Sequence, residues 1–359
     1  MAAGVAAGHP ATARAGIEVL AAGGSAADAA VAAVLASCVA ETLLTGIAGG
    51  GYATYYDART GTVSCLDFFV AVPGLDGGTA APMTAIEVNF GGVPLRYAIG
   101  GPSVAVPGVP AGCRELHARW GRLPWRDVVA PAIGMARQGV ELPPAQARTL
   151  TSLAPVMLRG DGAAAYAPGG RLLLGGDLLF HSGLDQALEL LAEHGPDIYY
   201  TGVLGQAIAT AVRDAGGVLS DVDLAAYQVV ELPVTSAGFA GHRVYGRTDL
   251  NRTIATVAAL PPLAALPRPA RAVGIADTLR DVSRRVGEIA VADPPPDVSR
   301  HRTGETTNIA VVDPEGNACV VTTTLGLGAG VWLPGFGVHL NSMLGEAELI
   351  IEGSVPGQR

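Results

Sequence analysis

The stretch Glu305-Thr306-Thr307-Asn308-Ile309-Ala310-Val311-Val312-Asp313 sets two adjacent hydroxyls in front of an alternating apolar run. Ile309, Val311 and Val312 read as a β-strand, and Pro314-Glu315-Gly316-Asn317 as the turn that closes it. A second run, Ala318 to Thr324, returns as its hairpin partner. Inside a chain a threonine hydroxyl is a weak nucleophile. Cleavage of the bond before Thr306 would give that residue a free α-amine, of reference pKa ~8, beside its own hydroxyl. One residue then carries both nucleophile and general base. On paired strands Thr306 and Thr324 sit side by side near one end.

Composition sets the outer limits. The 359 residues can bury a large core as one big domain or two smaller ones. Apolar residues make up 49% and the mean hydropathy is +0.36. The longest apolar stretch, Ala26 to Ala40, is nevertheless too short to span a bilayer and is broken by Asp28, Ser37 and Cys38. A formal charge of −9, with no basic cluster, argues against nucleic acid as a partner. All 23 basic side chains are arginine. Cys38, Cys65, Cys113 and Cys319 show no metal spacing and read as small buried hydrophobes. No basic n-region opens the chain, so it is expected in the cytoplasm, or in the periplasm or outside the cell if more sequence precedes Met1.

Along the chain, helices precede and follow paired strands. Pro10 to Gly24 reads as a helix, and Ser25-Ala26-Ala27-Asp28 as a capping box that opens an Ala-rich helix to about Cys38. Tyr52 to Tyr56 and Val63 to Phe68 form a hairpin around Asp57-Ala58-Arg59-Thr60-Gly61. Residues 76–100 read as loop and edge strand, and Ser103 to Gly108 as a short strand. From Val109 to Gly139 helices are split by Gly121-Arg122-Leu123-Pro124-Trp125. Further helices are predicted over Gly183–Glu193, Leu204–Ala215 and Asp221–Tyr227, and a strand over His242–Tyr245. Residues 260–305 form a Pro- and Arg-rich connector with one helix near Ile275–Val286. The order implies a layered α+β architecture rather than a doubly wound parallel sheet.

Other chemistries find no support. Gly46 to Gly51 follows a helix and opens a strand, the reverse of a dinucleotide-binding loop, and no Lys-Ser/Thr follows it. These glycines predict backbone packed closely against another element. No Gly-x-Ser-x-Gly elbow occurs, and the histidines lack metal-ligand spacing. Asp57 and Asp313 read as turn residues; His9 and His242 read as surface or capping residues.

The chain resembles the γ-glutamyltranspeptidases, self-cleaving N-terminal-nucleophile hydrolases. The residues that carry the likeness run collinearly: His9-Pro10-Ala11-Thr12, Gly23-Gly24-Ser25-Ala26-Ala27-Asp28, Gly46-Ile47-Ala48-Gly49-Gly50-Gly51-Tyr52, Leu66-Asp67-Phe68, Gly121-Arg122-Leu123-Pro124-Trp125, Asp223-Leu224-Ala225-Ala226-Tyr227 and Gly316-Asn317-Ala318. The resemblance implies an αββα sandwich of two antiparallel sheets between helical layers. It implies cleavage between Glu305 and Thr306, a large-subunit-like region 1–305 and a nucleophile-bearing region 306–359, paired as a heterodimer of fragments. Thr306 would be the nucleophile, Thr324 its hydrogen-bonded partner, and Glu346 the acid that holds the substrate α-amino group. The implied substrate is a small γ-glutamyl amide such as glutathione, and no cofactor is implied.

The chain also departs from that pattern. Phe69 stands where the family carries an arginine for the substrate α-carboxylate, Asn308 where a histidine follows Thr-Thr, and Gly326 where an asparagine often follows the second threonine. Gly246-Arg247-Thr248-Asp249-Leu250-Asn251 replaces a Pro-rich Ser-Ser-Gly-Gly segment, so helical layers are expected to be missing. The family's later Ser-Ser or Ser-Met segment and Gly-Gly oxyanion hole have no counterpart before Arg359, so the sandwich is expected to be incomplete at the C-terminus. Three readings stay open: a γ-glutamyl hydrolase or transferase, an amidase of the same fold with a non-glutamyl substrate, and an inactive or incomplete homologue.

Overall fold

Ser25 and Asp28 begin the helix around which the fold is built by capping each other. In the computed structural model, which describes residues 3–90, 93–248, 252–290, 306–346 and 355–358, Asp28 Oδ2 accepts from the Ser25 N–H (2.9 Å) and Ser25 Oγ accepts from the Asp28 N–H (3.1 Å). Two otherwise orphaned backbone donors are thereby satisfied. The same carboxylate accepts from the Arg122 N–H at 2.8 Å, which ties the Gly121–Trp125 break to the start of this helix. Asp313 adds a third tie: its Oδ2 accepts from the Ala26 N–H at 3.1 Å, while its Oδ1 accepts from the Asn317 N–H at 2.9 Å. Asp313 therefore serves its turn, as its sequence context predicts, and also anchors that turn to the helix.

Helix α1 (Pro10–Ala21) is capped by His9, whose Nδ1 accepts from the Ala11 N–H at 3.0 Å; His9 is buried rather than on the surface. All 15 residues of α2 (Ala26–Ala40) are buried. It packs against α1, α3 (Val109–Trp120), α4 (Trp125–Gln138) and the principal sheet, and small alanine side chains permit that close approach on every side.

Two compact units are present: 1–61, 66–230 and 302–359 form one, and 62–65 with 231–301 the other. The principal sheet contains β1 (Gly4–Ala6), β2 (Gly50–Asp57), β3 (Thr62–Phe68), β4 (Thr307–Val312) and β5 (Ala318–Thr324), in the spatial order β1-β4-β5-β2-β3, and all of these strands except residues 62–65 of β3 belong to the first unit. β1–β4, β4–β5 and β5–β2 are antiparallel. Strand β5 is central, with Thr307 opposite Thr323 on one side and Gly50 opposite Thr324 on the other.

Alternation assigns the faces. Thr307, Ile309 and Val311 on β4, with Cys319, Val321 and Thr323 on β5, are buried on the side of α2. Asn308, Thr322 and Val320 lie on the opposite face, where Val320 is 40% exposed and the Asn308 amide donates to Thr322 Oγ1 at 2.7 Å. The class is α+β with antiparallel sheets, as predicted. Of the expected sandwich, the described residues supply one helical layer and the sheet beneath it.

The second unit holds an antiparallel hairpin, Val234–Phe239 with His242–Arg247. Ala240 (φ 49°) and Gly241 (φ 80°) form its two-residue turn, with the positive φ pair that matches strand twist. Helix Arg252–Ala259 packs on this hairpin, and helix Arg268–Ala290 packs on that helix in turn. The latter is far longer than the Ile275–Val286 segment expected inside a connector.

Three other differences have local causes. Residues 84–99 form a hairpin, Thr84–Phe90 with Val93–Ile99, rather than a loop and one edge strand. Ser103 belongs to a 3-10 turn over Gly101–Ser103, and only Val106 bridges to a neighbour, Ala71, because Pro102 and Pro107 remove ladder donors. Helix Pro144–Met157, which the sequence does not announce, starts on a proline and contains Pro155. The four cysteines are buried, as expected, and burial pushes the Cys113 and Cys319 thiols up to about 12, so neither is a ready nucleophile. No described helix is long and apolar enough to cross a membrane.

Candidate active site

Strand register brings the two threonines together. The β4–β5 ladder ends at Thr307 opposite Thr323, and its register continued by one residue would put Thr306 across from Thr324. Thr306 is exposed and Thr324 is buried at 8% exposure. Thr324, inside β5, follows the alternation onto the face away from α2. Thr324 Oγ1 accepts from the Gly326 N–H at 3.0 Å. Glu305 lies outside the described residues.

Glu346 meets this pair through Gly326. Gly326 has φ +67°, and a Cβ there would collide with Glu346 Oε1 and come within 2.7 Å of Ser342 Oγ. A side chain at this position would have to displace the Glu346 carboxylate and the Ser342 hydroxyl. Glu346 is buried at 8% exposure, not a solvated loop acid. Asn341 fixes the segment before it: its amide donates to the carbonyls of Ala48 (2.9 Å) and Ala105 (2.8 Å), and its Oδ1 accepts from the Met343 N–H (3.2 Å).

The glycine run does what its order predicts. A Cβ at Gly49 would collide with the Thr324 carbonyl oxygen, and one at Gly51 with that of Thr322. Only bare backbone allows β2 to lie this close to β5.

Phe69 closes the exposed face on the other side. Its ring stacks on Tyr52, with centroids 5.4 Å apart and planes 10° apart. Tyr52 is the register partner of Thr322, two rungs from Thr324 on the same face. Phe69 also packs, with Leu344, against a small apolar group of Val70, Ala105 and Met343. The wall beside the threonine pair is therefore apolar and aromatic where the family pattern places a cation.

Beneath the pair lies a group that sequence reasoning missed. Glu41, at the end of α2, is fully buried and accepts from Thr307 Oγ1 at 2.5 Å through Oε2 and from Thr12 Oγ1 at 2.7 Å through Oε1. Stranding either hydroxyl would cost roughly 1–3 kcal/mol. The available signal was an acid ending the twelve apolar or small residues Ala29 to Ala40, since a buried acid needs partners.

A second polar group lies further from the threonines. Trp332 is sandwiched between His339 (centroids 4.3 Å) and His181 (5.8 Å). His339 Nε2 accepts from the Gly330 N–H at 2.9 Å, which leaves its proton on Nδ1. Burial lowers His181 to about 4 and His339 to about 3, so both rings are neutral at pH 7. The unfolded chain, with His near ~6.5, then binds more protons than the native state below that pH. Stability is present above pH ~6.5 and is lost as pH falls towards the folded values, by about 2 kcal/mol per histidine between pH 7 and 5. Thermal melts should show a marked drop in Tm over that interval, and His181→Gln should shrink the drop by about half. An unchanged drop in the variant would remove His181 from the account.

The fold places the chain among known architectures. Cephalosporin acylase from Bacillus halodurans superposes with a TM-score of 0.70 at 23% identity, covering 99% of this chain and 72% of that one. Gamma-glutamyltranspeptidase of Helicobacter pylori shares the fold, with a TM-score of 0.68 at 23% identity over 82% of this chain and 85% of that one. A model of the γ-glutamyltranspeptidase family matches residues 12–272. An acylase ACY 1 proenzyme of Pseudomonas sp. (strain SE83) is 34% identical over 243 residues, 66% of this chain and 43% of the relative. A glutathione hydrolase proenzyme of Escherichia coli (strain K12) is 27% identical over 380 residues, 92% of this chain and 64% of the relative. The chain belongs to the γ-glutamyltranspeptidase family. It spans less than half the length of the acylase relative.

Proposed function

We propose that this protein is a γ-glutamyl hydrolase or transferase that cleaves itself before Thr306 and then uses Thr306 as an N-terminal nucleophile. The observation that carries this is the Thr307–Thr323 pair at the open end of the central hairpin, whose register, continued by one residue, sets the exposed Thr306 opposite Thr324. In self-cleavage, Thr306 Oγ attacks the Glu305 carbonyl carbon. The C–N bond breaks as a C–O ester forms, and the hydroxyl proton passes to the released amine. Water then hydrolyses the ester to a Glu305 carboxylate and a free Thr306. Regions 1–305 and 306–359 become separate chains of one folded body. In turnover, the neutral α-amine takes the Thr306 hydroxyl proton as Oγ attacks the substrate amide carbonyl. The amine product departs, and water or a second amine resolves the ester. Thr324 steadies the attacking hydroxyl, and Glu346 receives a substrate ammonium. The proenzyme names of relatives support the processing step.

One observation favours a second reading of the donor. With Phe69 stacked on Tyr52, the carboxylate clamp is replaced by an apolar wall, and an amide whose acyl group is apolar fits that wall better than a free glutamyl carboxylate. An acylase also stands among the relatives.

The test is an intact-mass measurement with N-terminal sequencing of the purified protein. Two fragments, one beginning Thr-Thr-Asn-Ile, are expected. A single uncut chain that hydrolyses γ-glutamyl or acyl anilides would overturn the mechanism.

A further inference from the structure

We propose that the turn Glu41–Thr45 is a positioning clamp that holds the two threonine-bearing strand ends in register. The inference rests on the reading of Thr306 as the nucleophile. Glu41 grips Thr307 through Oε2 at 2.5 Å, and Thr45 Oγ1 donates to Thr323 Oγ1 at 2.9 Å. Thr307 and Thr323 are directly opposed across β4 and β5. One five-residue turn therefore fixes two adjacent strands at the same rung, at the residue immediately after Thr306 and the residue immediately before Thr324. Strand alternation sends each gripped side chain towards α2 and its neighbour to the other face. The grip thus sets the height and rotation of Thr306 and Thr324 without occupying their space.

The turn itself is stiff. The Glu41 carbonyl accepts from the N–H groups of Leu44 (2.8 Å) and Thr45 (3.0 Å), and the Glu41 N–H donates to Ser37 O at 2.8 Å. On this face of the sheet the next rungs are apolar, with Ile309, Val311, Val321 and Cys319 buried. Within the β4–β5 ladder, the α2-facing rung next to the candidate nucleophile is the polar one. An apolar pair there would fill the same space without bringing a carboxyl group into the core. Gly8 closes the site, because a Cβ there would collide with Glu41 Oε2 and come within 3.2 Å of Thr307 Oγ1. Thr12, on α1, holds the other carboxyl oxygen, so the clamp is braced from a third element.

Glu41→Gln keeps the shape but replaces one acceptor oxygen with a donor. Thr45→Val deletes the second grip at constant volume, and Thr45→Ser restores it. Fragment formation is followed by mass after synthesis, and kcat and KM are measured on matured protein, alongside the Tm. Displacements of about 1 Å at a reacting atom cost ~10²-fold, so Thr45→Val and Glu41→Gln should slow self-cleavage and lower kcat by roughly 10-fold or more, with KM little changed. Thr45→Ser should recover both rates. If the variants mature and turn over like wild type and only the Tm falls, the turn is structural and the clamp is refuted. If wild type never splits, and Thr306→Ala matches it in every assay, the nucleophile reading fails and the clamp with it. If Glu41→Gln does not fold, Thr45→Val and Thr45→Ser decide the outcome alone.

Discussion

Thr306→Ala is expected to yield one uncut chain with no measurable turnover, while Thr306→Ser still gives two fragments. The serine hydroxyl can attack the Glu305 carbonyl; a methyl group cannot. Removal of a nucleophile from a self-contained nucleophile–base unit costs roughly 10⁴-fold or more in kcat. The exposure of Thr306 makes the test clean. A surface substitution away from packed features changes stability by about ±0.5 kcal/mol, so the Tm of Thr306→Ala should match that of the uncut wild type. Activity of matured wild type should rise with pH and level off above the α-amine pKa, near ~8, because only the neutral amine accepts the hydroxyl proton. A Thr306→Ala protein that still splits, or that keeps wild-type activity, would move the chemistry to another residue.

What the sequence disclosed was local. The Ser25–Asp28 box spans four residues, and both of its hydrogen bonds form. The alternation of Ile309 and Val311 against Val321 and Cys319 fixes the β4–β5 pairing and, with it, the Thr306–Thr324 rung. The tight glycine run at Gly49–Gly51 has its cause in the carbonyls of β5. What stayed hidden depends on partners far along the chain. Glu41 meets a threonine 266 positions away, and no pattern in Val39-Ala40-Glu41-Thr42 names it. Gly326 lies against the Glu346 carboxylate and the Ser342 hydroxyl, which are 20 and 16 positions further along the chain. Helix Pro144–Met157 was masked by prolines that mark loops in most contexts but are tolerated in a first turn.

Phe69→Arg is the substitution expected to move donor preference furthest. The backbone at this position is held on both sides: the Phe69 N–H donates to Asp67 Oδ1 at 2.8 Å, and its carbonyl accepts from Tyr227 Oη at 2.5 Å. A new side chain therefore changes chemistry while the main chain stays in place. A guanidinium can keep the contact with Tyr52, since planar cations stack on aromatic faces, and it adds a two-pronged donor for a carboxylate. Charge-assisted hydrogen bonds contribute ~1.5–3 kcal/mol, which corresponds to roughly 10- to 150-fold in kcat/KM for a γ-glutamyl anilide. The same cation beside an apolar acyl group must be desolvated with no partner, so kcat/KM for an aliphatic or phenylacyl anilide should fall. Phe69→Leu serves as the control, because it removes the ring without adding charge and should weaken the apolar donor without improving the γ-glutamyl one. The crossing of the two preferences is the decisive result. Equal ratios in wild type, Phe69→Arg and Phe69→Leu would show that the Tyr52–Phe69 wall does not touch the donor, and that the acyl group lies on another side of the threonine pair.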